Sequence, residues 1–274
     1  MHPCRQNRAS GGVFWDVPTA VDNWIKAGQV LFITGKVSRY KDSLQVGITD
    51  AYPQPNPDMG EFMATGARST TEMVAELRAL IDGLGEPYGR LTRTILLEDK
   101  FLTQFSNAPA AKNMHHAYIG GLLDHSLSMA RLGAHMASHY PKVNQDLLVA
   151  GALLHDMGKV YEYAFDGSFE FSDDGRLVGH IVRAAVIVEQ TAAKLGDIPP
   201  RVVQDVVHLI LSHHGNLEWG APVVPKTLEA VILHQLDLLD SRVQGFYDHV
   251  NNDNSEGEWT SKESPMHRTY LRKG

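Results

Sequence analysis

Two kinds of hydrophobic pattern divide the chain. Residues 13–50 combine β-branched and aromatic side chains with short polar stretches such as "YKDS", which predicts strands joined by turns. From residue 70 onward, apolar residues recur every three or four positions, as they do on one face of a helix. The first such stripe consists of Met73, Leu77, Leu80 and Leu84. The expected fold is therefore mainly α, a helical bundle preceded by a small β module.

The helical pattern continues to about residue 250. Pro200 and Pro225 lie where helices tolerate proline, because the N–H groups of a first turn have no intrahelical partner. Thr70 or Thr71 is expected to cap the first helix, and Gly158 to end the fourth as its C′ residue. The predicted helices are 70–84, 89–105, 113–138, 145–157, 179–195, 200–213 and 225–248.

One segment interrupts the helices. In "YEYAFDGSFEFS" (161–172), aromatic residues alternate around Asp166-Gly167, a two-residue turn signal that predicts a β-hairpin. The proline-rich segment 51–60 predicts a linker, and the residues from Asn251 predict a loose polar tail. The expected domains are 1–60, 61–250 and 251–274.

Composition narrows the functional class. The only cysteine is Cys4, which excludes an intramolecular disulfide and a cysteine zinc cluster and favours the cytoplasm. The sequence has neither an apolar run long enough to span a bilayer nor the apolar core of a signal peptide, so no membrane partner is expected. The net charge of −7 argues against a protein that coats DNA. It is compatible with an enzyme that holds phosphate through metal ions.

Histidine and carboxylate residues recur at helix positions among apolar neighbours. Asp237 lies within "VILHQLDLLDSR", and a buried carboxylate is costly unless it is paired or binds a metal. Five helices that each direct a ligand to one point would form a metal site in the bundle core. The alternative is that Asp237 makes a local pair and that His213-His214 is a surface pair. The candidate ligands are His125, His155, Asp156, His180, His213 and Asp237. Imidazole and carboxylate ligands without thiolate suit Mn, Fe, Ni, Co or Zn.

The order His…His-Asp…His…His…Asp resembles the HD-domain phosphohydrolase superfamily. The segments "HHAYIGGLLDHS", "LLHDMGKVYEY", "DDGRLVGHI" and "ILSHHGNLEWG" resemble most closely the YhaM-type 3′–5′ exoribonucleases, over roughly residues 90–250. The resemblance implies an HD-domain helical bundle, hydrolysis of phosphodiester bonds, and an OB-fold nucleic-acid module in front of it. Residues 28–52 and 13–18 resemble the later strands of that module.

The resemblance also implies roles for individual residues. His125, His155, Asp156 and Asp237 would hold one metal ion, and His180 and His213 a second, with Asp156 bridging the two. Mn or Fe is favoured, and Co, Ni, Zn and Mg are the other candidates. Two such ions can activate a water molecule and hold the phosphate oxygens. Lys159 would neutralise charge on the phosphate or, alternatively, interact with the helix dipole. His214 would contact the substrate or protonate the leaving oxygen, unless it is only a solvated neighbour of His213.

Nucleic-acid contacts are expected in two places. The predicted residues are Lys36, Arg39, Tyr40, Lys41 and Gln45 in the β module and His115 and His116 before the site. Phe32 is expected in the barrel core, and Lys36, Arg39 and Lys41 could equally form a solvated strand face. The opening strands of the OB-fold have no counterpart here, so the chain is either truncated or completed by a partner. Homo-oligomerisation through the N-terminal strands is therefore expected.

Three functions are compatible with the sequence. The first is a metal-dependent 3′–5′ exonuclease on single-stranded RNA, with single-stranded DNA as a further substrate. The second is an HD-type hydrolase of a small nucleotide. The third is a non-catalytic RNA-binding protein with a vestigial site, against which the complete set of ligand residues argues.

Overall fold

A computed structural model of the 274-residue chain gives its fold. It describes residues 11–26, 29–40, 43–55, 66, 68–111, 118–165 and 169–274. Contacts divide the chain into two compact units, one formed by the N-terminal residues up to 64 with residues 164–170, the other by the remainder.

The N-terminal unit contains a three-stranded sheet in the order β1-β3-β2. Strand β1 (Gly11–Phe14) runs parallel to β3 (Ser43–Pro53), and β2 (Leu31–Tyr40) runs antiparallel to β3. A short helix, α1 (Thr19–Asp22), follows β1. Strand β3 extends to Pro53, so the first three residues of the predicted linker 51–60 belong to the sheet. Side chains alternate between the two faces of a strand, so this sheet has two chemically distinct faces.

Helices make up most of the second unit, and their apolar faces enclose one core. In chain order, the helices are α2 (Thr70–Asp82), α3 (Tyr88–Leu96), α4 (Asp99–Phe105), α5 (Gly121–His139), α6 (Gln145–Leu154), α7 (Lys159–Glu162), α8 (Asp173–Leu177), α9 (His180–Leu195), α10 (Pro200–Ser212) and α11 (Leu228–Asn252). Helix α6 is buried from Leu147 to its end at Leu154 and packs against α3, α5, α10 and α11. The expected mainly α fold with a small N-terminal sheet is confirmed. None of the described helices is long and apolar enough to cross a membrane.

Several helix boundaries differ from the sequence-based expectation. The predicted helix 113–138 begins only at Gly121, because Gly120 before it adopts a left-handed φ of 83°. The helix predicted from residue 225 begins at Leu228.

Helix α2 is capped by Ser69 rather than by Thr70 or Thr71, because the Ser69 side chain accepts from the Glu72 N–H while the Glu72 side chain accepts from the Ser69 N–H. The predicted helix 89–105 consists of α3 and α4. Glu98 separates them, since its side chain accepts from the Phe101 N–H at 2.8 Å and so starts a new helix.

The predicted hairpin is present as a pair of strands, β4 (Tyr163–Phe165) and β5 (Phe169–Phe171). Its expected turn at Asp166-Gly167 lies outside the described residues.

The expectation of a loose C-terminal tail is wrong. Beyond α11 the chain forms two isolated β-bridges, and Leu271 is buried. The Asp253 carboxylate accepts from the backbone N–H of Ser261 at 2.6 Å and of Ser255 at 2.9 Å, and Lys273 Nζ lies 2.5 Å from it. The polar residues that predicted looseness are the ones that fix this segment.

One face of the N-terminal sheet is apolar and exposed. This face is compatible with the predicted self-association, which stays a prediction. Val37 and Val46 are directly opposite each other on this face, and Val37 is 69% exposed. Among the described residues, the outer edge of β2 pairs with no strand. An apolar face beside an unpaired edge favours association with a like sheet.

We therefore expect light scattering of the intact chain to give a mass of at least two chains. Val37→Lys should lower that mass, because it places a charge on the apolar face. Ser38→Lys, on the opposite face of the same strand, is the matched control and should leave the mass unchanged. A monomeric wild-type chain would contradict the prediction.

Candidate metal centre

The structure brings the six predicted ligand side chains to one place in the helical unit. His125 lies on α5, His180 is the first residue of α9, and Asp237 lies within α11. The other three follow the ends of helices: His155 and Asp156 come directly after α6, and His213 directly after α10. The predicted convergence is therefore observed, whereas the role of each residue stays a prediction.

One group of ligand atoms surrounds His125. Its Nε2 atom lies 3.3 Å from His155 Nε2 and 3.3 Å from Asp237 Oδ1. Asp156 Oδ2 is 3.7 Å from the same nitrogen and 3.4 Å from His155 Nε2. The side chains of His125, His155 and Asp237 therefore face a common point. One oxygen of Asp156 faces the same point.

A second group forms on the other side of Asp156. Asp156 Oδ1 lies 3.5 Å from His180 Nε2 and 3.6 Å from His213 Nε2. The side chain of His214 also offers a nitrogen within 4.8 Å of those of His180 and His213. Each oxygen of the one carboxylate therefore faces a different group, which is the arrangement expected of a bridging ligand.

Buried atoms without hydrogen-bond partners in the described parts of the chain indicate that these residues fit a divalent metal ion. Asp156 Oδ1, His180 Nε2 and His213 Nε2 are buried and have no hydrogen-bond partner among the described residues. Such atoms are costly unless something satisfies them. Ligand atoms that each lie about 2.0–2.2 Å from a shared cation are separated from one another by roughly 3.0–3.5 Å. The observed separations are close to this range, so a divalent cation would satisfy all three atoms.

The outer nitrogen of His125 is held by a carboxylate. Its Nδ1 atom lies 2.8 Å from Asp240 Oδ2, and Ser128 Oγ donates to Asp240 Oδ1 at 2.5 Å. A carboxylate at Nδ1 keeps the proton there and leaves Nε2 as the ligand atom. Asp240 thereby fixes both the orientation and the tautomer of His125.

The other ligand histidines have acceptors at the same position. Nδ1 of His155 donates to the Ala152 carbonyl at 2.9 Å, and Nδ1 of His213 donates to the Ile210 carbonyl at 2.7 Å. His180 Nδ1 lies 2.5 Å from Glu162 Oε2. Three Nδ1 atoms with hydrogen-bond acceptors, and a carboxylate beside the fourth, direct the Nε2 atoms inward, as metal-binding histidines require.

Burial and neighbouring charges shift the pKa values of the candidate ligands in opposite directions. Burial alone would lower the pKa of His125, but the Asp237 and Asp240 carboxylates raise it to about 10. A metal ion that binds Nε2 must therefore displace a proton from that atom. Burial lowers the pKa of His213, which favours the neutral imidazole that can bind a metal. Burial opposes ionisation of Asp156, yet Lys159 and His155 hold its pKa well below the usual range. Asp156 is therefore a carboxylate in this site, although it is only 2% exposed.

Gly158 serves a different purpose from the one expected. Helix α6 ends at Leu154, before Gly158, and the φ angle of Gly158 is −64°, so it is not a left-handed C′ residue. A Cβ atom at Gly158 would lie 2.1 Å from the His180 carbonyl oxygen. Glycine is needed because the backbone at the start of α9 passes against this turn and brings His180 to Asp156.

The two remaining predicted catalytic residues border the centre. Lys159 Nζ lies 2.6 Å from Asp156 Oδ2, and its ammonium group is therefore inside the charge cluster rather than only at a helix end. The His214 ring is 4.4 Å from that of His213, and its Nδ1 atom donates to the Trp219 carbonyl at 2.9 Å.

The predicted nucleic-acid contacts are only partly described. His115, His116 and Lys41 lie outside the described residues. Lys36, Tyr40 and Gln45 share one face of the N-terminal sheet, because Gln45 pairs with Ser38 in the register. Arg39 points to the opposite, apolar face, so it does not form a basic cluster with Lys36. Phe32 is 61% exposed, and its expected place in a barrel core is wrong.

Two positioning carboxylates were not identified from the sequence. Asp240 follows Asp237 by one helical turn, a spacing that puts both on the same face of α11 and could have revealed it. Glu162 has no comparable signal, because it meets His180 only through the packing of α7 against α9. His208, another helix histidine, lies outside the centre and accepts from the Lys226 N–H at 3.0 Å.

An apolar groove in the helical unit is separate from these residues. Its volume is about 640 Å³, and it lies between the end of α5 and the start of α11. Its lining includes Tyr140, Val143, Leu228, Val231 and Ile232 and none of the candidate ligands. Polar ligand atoms, not a large apolar cavity, mark the candidate site.

Substituting Asp156 should remove the metal without unfolding the chain. We expect Asp156→Ala to lose bound metal, because both ligand groups share this residue. Metal content by elemental analysis, with circular dichroism for the fold, measures this. His135→Ala, an exposed histidine on the same helix as His125, is the control and should retain its metal. Unchanged metal content in Asp156→Ala would contradict the assignment.

Substituting Asp240 should weaken metal binding through His125. We expect Asp240→Asn to lower the metal affinity about 10- to 100-fold, the usual effect of losing a carboxylate behind a ligand histidine. Calorimetric titration with Mn²⁺ measures the affinity. Asp197→Asn, which alters a surface ion pair with Arg90, should leave it unchanged. Equal affinity in wild type and Asp240→Asn would exclude the positioning role.

Comparison with known proteins agrees with this geometry. The HD domain family model matches residues 122–242, and a model described as a putative helicase matches residues 90–144. The 3′-5′ exoribonuclease YhaM of Listeria welshimeri is 34% identical over 255 residues, which cover 90% of this chain and 79% of the relative. YhaM of Listeria innocua is 35% identical over 252 residues, with the same coverage. YhaM of a Geobacillus species is 32% identical over 233 residues, covering 84% of this chain and 71% of the relative. No solved structure matches the chain.

The matched HD region contains all six candidate ligands, and the similarity to the YhaM proteins covers 90% of this chain, well beyond that region. The chain therefore belongs to the HD-domain phosphohydrolases of the YhaM family.

Proposed function

We propose that this chain is a metal-dependent 3′–5′ exoribonuclease that acts on single-stranded RNA and also accepts single-stranded DNA. The observation that carries the proposal is the position of Asp156, whose two oxygens face two separate groups of ligand atoms. Such a pair of groups suits in-line displacement at a phosphodiester. The activity named for the YhaM relatives supports RNA as the polymer.

In this proposal, His125, His155, Asp156 and Asp237 hold one divalent ion, and Asp156, His180 and His213 hold the other. When bound, the ions supply Lewis acidity and a lowered pKa for the attacking water. Mn²⁺ or Fe²⁺ suits these nitrogen and oxygen ligands best, with Co²⁺, Ni²⁺, Zn²⁺ and Mg²⁺ as the other candidates.

The protein's own side chains then hold the scissile phosphate. Lys159 contributes a positive charge directly beside Asp156, where the phosphate oxygens would gather negative charge in the transition state. Burial lowers the pKa of His214, so its imidazole is largely neutral at pH 7. His214 is therefore proposed to contact the phosphate or the leaving oxygen through Nε2, since its Nδ1 atom is engaged by Trp219.

One face of the N-terminal sheet supports a single-stranded substrate. Phe32, Lys36 and Tyr40 alternate along β2 on this face, and the register places Tyr52 opposite Phe32 and Gln45 opposite Ser38. The three aromatic residues are exposed. Aromatic side chains with a nearby basic residue bind single strands without reading their sequence. His115, His116 and Lys41 are further proposed contacts. Arg39 lies on the opposite face of the sheet and is therefore not part of this surface.

The test is digestion of a single-stranded RNA labelled at its 5′ end, in the presence of Mn²⁺. We expect stepwise shortening from the 3′ end, abolished by EDTA and in Asp156→Ala and retained in His135→Ala. A cyclic dinucleotide and nucleoside triphosphates are tested in parallel. Cleavage of these alone would favour the small-nucleotide hydrolase, and binding of RNA without cleavage of any substrate would favour a non-catalytic protein.

A further inference from the structure

A loop with internal hydrogen bonds carries a tryptophan next to His214. After His213 the chain turns through Gly215 and Gly220, both with positive φ angles, around a 3₁₀ turn formed by Leu217–Trp219. Backbone N–H groups of Trp219 and Ala221 both donate to the Asn216 carbonyl, at 3.0 and 3.2 Å. Hydrogen bonds within the loop therefore fix its course.

Two contacts tie Trp219 to the proposed ligands. Its carbonyl oxygen accepts from His214 Nδ1, and the His214 ring lies 5.4 Å from that of His180. The indole ring lies 6.0 Å from the ring of His234, whose Nδ1 atom donates to the His213 carbonyl at 2.8 Å. His234 therefore separates the indole from the backbone of the candidate ligand His213.

The exposure of this indole is unexpected for a packing residue. Trp219 is 51% exposed although the loop that carries it is well bonded. A tryptophan that only stabilised the loop would gain most from full burial. Leu217, in the same turn, is exposed as well. The loop therefore offers a flat apolar surface to solvent beside a centre that is otherwise polar.

We propose that Trp219 is a stacking platform for the nucleobase of the nucleotide whose phosphate occupies the metal centre. A nucleobase is the flat, π-rich group that every nucleotide carries close to its phosphate, and an indole binds any base by stacking. The platform holds the substrate end without selecting its sequence. This inference rests on the proposed function, because it assumes a nucleotide substrate.

Tryptophan fluorescence tests the contact without relying on catalysis. The intact chain, loaded with Mn²⁺, is titrated with 5′-AMP and separately with ribose 5-phosphate, which lacks the base. We expect 5′-AMP to change the emission and ribose 5-phosphate to have little effect. The 5′-AMP response should be lost in Trp219→Phe and kept in Trp259→Phe, an exposed tryptophan in the C-terminal segment. A full response in Trp219→Phe, or no response in wild type, would overturn the proposal.

Kinetics separate stacking from a structural role. The substrates are two RNA oligonucleotides, one normal and one with an abasic 3′-terminal nucleotide. We expect Trp219→Ala to lower kcat/KM about tenfold on normal RNA, the effect of one lost base stack. On the abasic RNA it should change kcat/KM less than about twofold, since there is no base to lose. Trp219→Phe should retain most of the activity.

An equal loss on both RNAs would show that Trp219 only supports His214, and the platform would be rejected. If wild type cleaves neither RNA, the exonuclease proposal fails on its own. The fluorescence titrations then still decide whether Trp219 binds a nucleobase, which in that case would come from a small nucleotide.

Discussion

The structure depends on one buried carboxylate. Asp156 is almost fully enclosed, and its two oxygens face two sets of imidazole and carboxylate atoms from different helices. Removing a carboxylate from water is costly, and one ammonium group, that of Lys159, offsets only part of that cost. The buried ligand atoms without hydrogen-bond partners in the described structure surround the carboxylate. Divalent cations bound to these atoms would balance the remaining negative charge.

The bundle meets this requirement by using helix ends as well as helix faces. His155 and His213 lie at the C-terminal ends of α6 and α10. At a helix end the backbone turns, so a side chain can point in a direction that a continuous helix would not allow. Two glycines permit the necessary close approaches. Gly158 admits the backbone of His180, and at Gly215, where φ is +79°, an added Cβ atom would lie 2.2 Å from the His234 ring. His234 in turn holds the His213 carbonyl, so backbone packing and ligand orientation depend on each other.

Much of this could be predicted from the sequence, for physical reasons. Polar residues within apolar stripes, as at His125 and Asp237, indicate an interior function, because burial without one would be destabilising. Hydrophobic periodicity located the helices of the bundle to within a few residues at most ends. Structural features that depend on single side-chain hydrogen bonds were harder to predict from the sequence. The sequence alone did not reveal the Glu98 cap that divides α3 from α4, or the Asp253 carboxylate that orders the C-terminal segment.

The N-terminal sheet shows a different limit. Composition identified its strands, but the pairing register decides which residues share a face, and it separates Arg39 from Lys36 while joining Tyr52 to Phe32. The contribution of Glu162 was equally hidden, because no local pattern connects it with a histidine 18 positions later. Contacts that arise only when distant segments pack together lie beyond periodicity and composition.

The proposed function depends on Asp156 bridging two metal ions. The most direct measurement is electron paramagnetic resonance of the chain titrated with Mn²⁺ to saturation. We expect two ions per chain, with a spin-coupled signal because one carboxylate would bridge them. An uncoupled signal from a single Mn²⁺ ion at saturation would contradict it.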